Sequence, residues 1–317
     1  MKIPMRFNPL GYTYSYLLSS SKHLIDTGVS SKDAFTALEK HLSEFGLRPR
    51  DIEGIIITHM HNDHVGLVNY LKELGNVQVL AHEIAIERQR TQVEQYQDMY
   101  KHLLEELILM GGGAFQQMLA RFENSFREPP APLPIDRALK DGEEIRLENA
   151  HLKAIWTPGH AAEHICLHNN EKRILFSGDH VLPKITSHIS LHTWENRNPL
   201  NDYMLSLEKV GSLNVDLVLP AHEQTFTNLK ERVFELKTHH FARLNEVKDS
   251  LRQGDKTVFQ VAGRIHWDSR PWPLMDFWTK RMAAAETYAH LIYLRNKGEV
   301  NETNKEGTLF YSLNAKP

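Results

Sequence analysis

The chain has 317 residues, of which 41% are hydrophobic and 24% charged, a length sufficient for one large α/β domain and a smaller one. Its formal net charge of −3 excludes a strong overall attraction to nucleic acid or to an anionic membrane, and no run reaches the roughly 18 apolar residues of a membrane-spanning helix. The single cysteine, Cys166, excludes an internal disulfide, which is typical of a reducing cytoplasm.

The first predicted elements are a pair of strands and a helix. Residues 12–19 alternate as a strand, and residues 22–28 form a second one. Asp26, near the end of that second strand, is interpreted as a turn residue or as a carboxylate that supports a neighbouring site, not as a metal ligand. Residues 32–45 carry apolar side chains at a spacing of three and four, which predicts an amphipathic helix that ends at Gly46.

The most informative stretch is 54–66, where a buried strand opens into a turn rich in potential metal ligands. Its apolar run at 55–57 is β-branched and predicts the end of that strand. Four potential ligands follow within six residues: His59, His61, Asp63 and His64. The first two can point the same way and share one ion, because strand side chains alternate, whereas the last two are better placed to hold a second ion. Solvated loop histidines would explain any one of these residues but not four in register.

Residues of about 84–130 are predicted to form a helical insertion. Few helix breakers interrupt 83–110, three glycines at 111–113 stop that helix, and 114–126 supply another. The proline-rich stretch 129–134 then returns the chain in extended form. The apolar side chains of the insertion either pack its helices together or cover a substrate pocket as a lid, and both interpretations stay open.

Three later strands each end in one ligand-type residue. The segments are 154–160, 174–179 and 216–222, and their last residues are His160, Asp179 and His222. A strand with such an ending is common, but the set of four motifs is specific. A metal held by two histidines of the first motif needs at least a third protein ligand, and a hydrolytic site also leaves one position open for water.

Together these motifs closely resemble the metallo-β-lactamase superfamily, whose hallmark is His-x-His-x-Asp-His followed in order by Gly-His, Gly-Asp and a final His. The resemblance covers roughly residues 1–225 and implies an α/β fold, the four-layer αββα sandwich. It also implies a first metal bound by His59, His61 and His160 and a second bound by Asp63, His64 and His222, with Asp179 bridging the two. Several redox members have Glu in place of the second His, so the His at position 61 disfavours the flavodiiron branch.

The C-terminal part has a different character. The patterns predict a long charged helix, two further helices and a short hairpin, at 228–251, 258–265, 276–296 and 298–311. Helices followed by such a hairpin resemble the winged-helix extension of LACTB2-like members, so the chain is most similar to glyoxalase II-like and LACTB2-like hydrolases. We therefore predict a catalytic domain at 1–227 and a helical linker with a small winged-helix-like domain at 228–317.

The resemblance implies chemistry at two divalent ions. Zn²⁺ is the first candidate because the ligands are rich in imidazole and contain no thiolate, and Fe or Mn would suit the same ligands. Two ions lower the pKa of a shared water, so the expected activity is that of a binuclear metal-dependent hydrolase. In such an enzyme a metal-bridging hydroxide attacks a small ester-like substrate, here a thioester above all. Asp63 and Asp179 are the candidates for passing the proton to the leaving group.

Two other activities of the same fold stay open, an endoribonuclease of the LACTB2-like type and an iron-dependent persulfide dioxygenase. Residues 280–317 contain six Lys or Arg against four Asp or Glu, an excess too slight to mark a nucleic-acid surface. Nucleic acid is therefore a disfavoured partner, and a small-molecule substrate is expected, with no role for a membrane. The C-terminal module is also compatible with a homodimer.

Overall fold

The computed structural model describes residues 1–6, 8–126, 129, 131–268 and 270–314, and the chain divides into two compact units. Unit 1 comprises Met1–Thr91, Ala131–Ser187 and Leu205–Phe234, and unit 2 comprises Gln92–Pro130, His188–Met204 and Glu235–Pro317. The division into domains 1–227 and 228–317 stays a prediction. Residues 127, 128 and 130, within the predicted insertion and proline-rich stretch, lie outside the described residues.

Unit 1 is built on two five-stranded sheets, preceded by a short strand pair, β1 (Lys2–Pro4) and β2 (Tyr12–Tyr14). The first sheet contains β3 (Tyr16–Leu18), β4 (His23–Ile25), β5 (Gly54–Ile56), β6 (Gln78–His82) and β7 (Arg137–Leu139). The second contains β8 (Glu144–Leu147), β9 (Ala150–Trp156), β10 (Ile165–Asn169), β11 (Ile174–Gly178) and β12 (Leu217–Pro220). The first sheet has the order 3-4-5-6-7 and is parallel from β4 to β7. The second has the order 12-11-10-9-8 and is antiparallel except for the parallel pair β11 and β12.

Alternate residues of the first sheet face opposite layers of the core. One set packs between the two sheets, in a buried cluster of Ile25, Ile56, Leu80, Leu139, Ile145, Leu152, Ala154, Ile165, Leu167 and Phe176. The other set packs with the helices α1 (Lys32–Ser43) and α3 (Val68–Leu74), in a cluster that includes Leu24, Leu38, Ile55, Leu71 and Val79. Complete burial of one of these side chains stabilises the folded state by about 1.5–3 kcal/mol. A shift of one residue would turn every side chain to the opposite face, so the period of two in these strands fixes which face of the sheet meets which layer.

The remaining helices are α2 (Asn62–Val65), α4 (Glu83–Gln95), α5 (Met99–Leu109), α6 (Gln116–Ala120), α7 (Pro199–Gly211) and α8 (Leu229–Leu251). The single long helix predicted over 83–110 is wrong, because a 3-10 turn at Tyr96–Asp98 separates α4 from α5. Tyr and Asp are weak helix formers, but so are Thr91 and Val93 inside α4 and Tyr100 inside α5, so helix propensity does not mark the break. Among the described residues, no helix has the length and apolar character that crossing a bilayer requires.

Unit 2 ends in a small helical and β module. It contains β13 (Lys256–Thr257), α9 (Val258–Ala262), α10 (Phe277–Asn296), β14 (Val300–Lys305) and β15 (Thr308–Leu313). The strands form one antiparallel sheet in the order 13-15-14, which is the predicted hairpin with a third strand added. The two residues of β13 are too few for a periodic signal. Thr257 then caps α9, accepting the N–H of Gln260 at 3.3 Å.

Unit 2 also buries two carboxylates that are held by imidazoles. His188 Nδ1 donates to Glu286 Oε2 at 2.9 Å, and His192 Nδ1 donates to Glu106 Oε1 at 2.9 Å. Arg281 also donates its guanidinium to the Glu106 carboxylate, at 2.6 Å. Burial alone would raise the pKa of Glu286, but His188, together with the nearby imidazoles of His290 and His240, lowers that pKa to about 2.

The Glu286 carboxylate is expected to make the stability of the protein acid-sensitive. A carboxyl whose pKa is lower in the folded state stabilises that state above its unfolded pKa of about 4.3 and loses this contribution as the pH falls towards 2. The full contribution is on the order of 3 kcal/mol. Urea unfolding between pH 2 and 7 should therefore show a flatter acid slope for Glu286→Gln than for the unchanged protein. The exposed Glu299, replaced in the same way, is the matched control, and equal slopes for all three proteins would contradict the prediction.

Candidate metal centre

The first motif lies where β5 leads into the short helix α2. His59 follows the strand, and His61 is the extended N-cap residue of α2. Asp63 and His64 lie in the first turn of that helix, so all four side chains project from one strand-to-helix turn. Thr27 fixes the turn from the neighbouring strand, because its N–H and Oγ1 both donate to the carbonyl of His64, at 2.7 and 2.9 Å.

The other three motifs place their ligand-type residues beyond the ends of β9, β11 and β12. Gly178 shows why one of these turns needs its sequence. Its φ of +51° belongs to the left-handed region, and a Cβ there would lie 2.6 Å from His164 Nε2. A glycine therefore lets the chain turn sharply between the end of β11 and Asp179.

Four side chains from three of these motifs form the first group, His59, His61, His160 and Asp179. His61 Nδ1 lies 3.0 Å from both His59 Nε2 and His160 Nε2. Asp179 Oδ2 lies 3.5 Å from His160 Nε2 and 3.9 Å from His59 Nε2. These atoms converge on one small volume, and the role of the three histidines as ligands of a first metal stays a prediction.

The second group contains Asp63, His64 and His222. Its Asp63 carboxylate lies 3.4 Å from His222 Nε2 and 3.8 Å from His64 Nε2. Asp179 lies beside this group as well as in the first, because its oxygens are 3.3 Å from His222 Nε2 and 3.6 Å from His64 Nε2. The position of Asp179 between the two sets is the one expected of a bridging carboxylate.

The spacing of the donor atoms fits divalent cations. Four ligands at the usual Zn–N distance of about 2.0–2.1 Å have donor atoms roughly 3.3 Å apart, close to the separations in both groups. Among the residues of these two groups, three buried ligand-type atoms also lack a hydrogen-bond partner: His64 Nε2, His222 Nε2 and Asp179 Oδ1. Buried polar atoms are normally satisfied, so three orphans facing one volume indicate a missing cationic partner.

The electrostatics of the site agree with cation binding. Burial and the neighbouring imidazoles of His64 and His61 lower the pKa of His59 well below its usual value, so its Nε2 lone pair is available. Burial would raise the pKa of Asp179, but the nearby imidazoles of His64 and His222 hold it well below its usual range. The first group therefore offers a neutral imidazole and an ionised carboxylate, which are the forms that bind metal.

In the protein alone, two of the histidines carry the balancing positive charge. Burial lowers the pKa of His64, yet Asp179 and Asp26 outweigh burial and raise it well above its usual value. For His222, Asp179 and Asp63 likewise outweigh burial and raise the pKa to about 10. A divalent cation can take the place of these two protons, which would be released on binding.

Asp26 supports the site without joining either group, as the sequence analysis interpreted it. Its Oδ2 accepts from His64 Nδ1 at 2.8 Å, which leaves Nε2 facing the second group. The same carboxylate accepts from Thr58 N–H and Oγ1, at 2.8 and 2.7 Å. Asp26 therefore orients both Thr58, at the start of the motif, and His64, its last histidine.

A second support is His164, four residues after His160. Its Nε2 accepts the N–H of Asp179 at 3.2 Å, and this contact requires the tautomer with the proton on Nδ1. That Nδ1 then donates to Thr157 Oγ1 at 2.8 Å. His82 stacks on Trp156 with ring centroids 5.5 Å apart and belongs to neither group.

Glu163 is a supporting residue that the sequence analysis missed. Its buried carboxylate accepts the N–H of Met60, between His59 and His61, at 3.2 Å and pairs with Arg88 of α4 at 2.8 Å. The sequence did contain one indication of this role, since Glu163 is a carboxylate inside the segment that carries His160 and His164. Nothing in the spacing, however, showed that it reaches back a hundred residues along the chain.

The two groups have a closed side and an open side. His59, His64 and His222 are buried, whereas His61 is exposed and the side chain of Asp63 is 24% exposed. His61 and Asp63 therefore form the solvent-exposed face of the two groups.

Comparisons with known proteins agree with this geometry. A model of the metallo-beta-lactamase superfamily matches residues 8–222, a range that contains both groups. A beta-lactamase-like protein 2 homolog of Caenorhabditis elegans is 29% identical over 263 residues, which cover 82% of this chain and 72% of that protein. A probable metallo-hydrolase of Bacillus subtilis is 24% identical over 321 residues, with 98% and 96% covered.

A thioesterase of Emericella nidulans is 25% identical over 235 residues, and the match covers 74% of this chain but only 52% of that protein. Among solved structures, a metallo-beta-lactamase family protein from Thermus thermophilus superposes with a TM-score of 0.81 at 30% identity. That match covers 98% of this chain and 97% of the other. The predicted fold class, an αββα sandwich with a helical C-terminal part, is confirmed by this likeness.

Proposed function

Since this chain belongs to the metallo-beta-lactamase superfamily and is a hydrolase of that superfamily, we propose that it is a binuclear metal-dependent hydrolase of small thioesters. The observation that carries the proposal is the position of Asp179 between two sets of donor atoms. One cation would be held by His59, His61, His160 and Asp179, and the other by Asp63, His64, His222 and Asp179. Zn²⁺ suits this donor set best, and Fe or Mn would be accepted by the same atoms.

Divalent cations, when bound, polarise an ester-like carbonyl and supply water ionised near neutral pH. The chain's own residues set the conditions for that chemistry. Asp26 holds the tautomer of His64, and His164 holds the backbone of Asp179, so the donor atoms are oriented before any substrate arrives. The buried side chains of His59 and His222 exclude bulk water from the closed side.

Asp63 is the residue that we propose passes a proton to the leaving group. Both Asp63 and Asp179 are close to the centre, but Asp179 is enclosed between imidazoles and its side chain is 11% exposed. Asp63 is more open, with a side chain that is 24% exposed, so a substrate atom can approach its carboxylate. A thiol is a good leaving group and needs only modest help of this kind.

The choice of a thioester is supported by the relative from Emericella nidulans that is named a thioesterase. The open side of the site, formed by His61 and Asp63, suits a small molecule. No contact among the described residues favours the endoribonuclease or the persulfide dioxygenase.

Removal of metal is expected to abolish turnover. The purified protein should contain two equivalents of Zn²⁺, lose thioester hydrolysis when a chelator strips them, and regain it when Zn²⁺ is returned. Elemental analysis measures the metal content, and an activity screen measures the turnover of thioesters, lactones, β-lactams, phosphodiesters and persulfides. A protein that holds one iron and consumes oxygen with a persulfide, or that hydrolyses thioesters fully without metal, would overturn the proposal.

A further inference from the structure

Glu223, the residue after His222, has a backbone conformation that its residue type disfavours. Its φ of +66° lies in the left-handed region, where a glycine would be the least strained residue. A glutamate there is more strained than a glycine, because its Cβ lies too close to the following carbonyl oxygen. Strained residues persist where the surrounding contacts over-determine them, so the contacts of Glu223 indicate its use.

The carboxylate of Glu223 binds the backbone of another loop. Its Oε2 accepts the N–H of Lys184 at 2.9 Å and the N–H of Ile185 at 3.2 Å. Its carbonyl accepts from Tyr12 Oη at 2.7 Å, and the Tyr12 carbonyl lies 3.1 Å from His222 Nδ1. The turn that carries His222 is thereby connected to the segment that follows Asp179.

Arg232 holds the carbonyl side of the same segment. This buried guanidinium donates to the carbonyls of Leu182 at 2.7 Å, Lys184 at 2.8 Å and Ile185 at 2.9 Å. Residues 181–187 form neither helix nor strand. The hydrogen bonds that Glu223 accepts and Arg232 donates therefore pair backbone groups that a regular element would otherwise pair. Ser187 Oγ closes the loop by donating to the carbonyl of Asp179.

We propose that Glu223 and Arg232 form a clamp that fixes Asp179 relative to His222 and so sets the affinity for the second cation. The inference rests on the proposed binuclear centre. Asp179 and His222 face each other across 3.3 Å, although they come from loops 43 residues apart in sequence. The clamp adds to the strand pairing that already joins the two loops, in which the N–H of Ala221 donates to the carbonyl of Gly178 at 2.9 Å, and it extends that link to the residues beyond both ligands. Glu223 is thus a positioning residue, because it acts through its neighbours and belongs to neither group.

The test is a Zn²⁺ titration of the full chain by competition with a chromophoric chelator. Glu223→Gly relieves the backbone strain and removes the carboxylate, so we expect the affinity for the second equivalent to fall by about 10- to 100-fold, with the first within about twofold. Asp63→Ala identifies which equivalent belongs to the second group. Glu223→Gln keeps one acceptor oxygen and should retain most of the affinity.

Glu306 provides a matched control. It is also a glutamate in the left-handed region, with φ of +51°, in the exposed turn between β14 and β15. Glu306→Gly therefore makes the same chemical and conformational change away from the clamp and should leave both affinities unchanged. Should Glu223→Gly fail to fold, Arg232→Lys, which keeps the charge but loses two of the three carbonyl contacts, should show the same selective loss.

The outcomes separate this inference from the proposed function. If Glu223→Gly binds both equivalents as tightly as the unchanged protein, or loses both alike, the clamp does not set the second affinity and the inference is overturned. If the unchanged protein itself binds no second equivalent, the binuclear proposal fails instead.

Discussion

Replacement of Asp179 by Asn is expected to lower kcat/KM for a thioester by about 10²- to 10³-fold, the scale on which loss of one electrostatic stabiliser acts. The Zn²⁺ content should fall from two equivalents towards one. The Asp179 carboxylate lies within 4 Å of nitrogen atoms from both groups. An asparagine keeps the shape of the side chain but lacks the charge that balances two cations.

The matched control is Asp249→Asn. Asp249 is an exposed carboxylate on α8 that pairs with Arg252, so the same chemical change there removes no contact near the centre. Steady-state kinetics and elemental analysis on the three proteins make the comparison. An Asp179→Asn protein that keeps both equivalents and loses less than about threefold in kcat/KM would rule out a bridging role.

Replacement of Asp26 by Asn is expected to weaken Zn²⁺ binding by about 10- to 100-fold, although Asp26 is not a ligand. Its Oδ2 accepts from both His64 Nδ1 and Thr58 Oγ1, and an amide NH₂ in that position cannot accept from either. The change also leaves a buried donor unsatisfied, which should lower the free energy of unfolding by about 1–3 kcal/mol. Asn tolerates the left-handed backbone that Asp26 adopts, with φ of +56°, so the effect reports on the contacts alone.

Chelator competition and urea unfolding of the metal-free protein measure the two effects of Asp26→Asn separately. Asp33→Asn is the control, since Asp33 is an exposed carboxylate in the same unit that pairs weakly with Arg6 at 3.8 Å. Equal Zn²⁺ affinities for the Asp26 and Asp33 variants would show that the orientation of His64 does not depend on Asp26.

The metal-centre candidates could be predicted from the sequence because each lies at the end of a strand with a strong local signal. Ile55–Ile57 and the run before Asp179 are apolar enough to fix the strands, and strand ends then bring distant residues to one edge. The structure places all seven candidates in two adjoining groups, and their roles as ligands stay proposals. Cys166 is fully buried, and burial raises its pKa to about 12, which makes it unreactive.

The supporting residues were harder to predict because their partners are far away in the chain. Glu163 reaches Met60 and Arg88, and Glu223 reaches Lys184 and Ile185, and no periodicity or motif encodes such pairings. Glutamates of this kind are mostly solvated, so sequence reasoning passes over them. The helix boundary within the predicted insertion was also missed, since Tyr96–Asp98 has no weaker helix propensity than residues inside the two helices that flank it.

The donor atoms come from four stretches of chain that are separated by strands of both sheets, the first at residue 59 and the last at 222. A pair of cations there would act as cross-links between these stretches, each closing loops that the unfolded chain leaves open. Binding of both ions should therefore raise the free energy of unfolding of unit 1 by an amount that grows with the free-ion concentration, although the ions can still enter and leave the folded protein past His61 and Asp63.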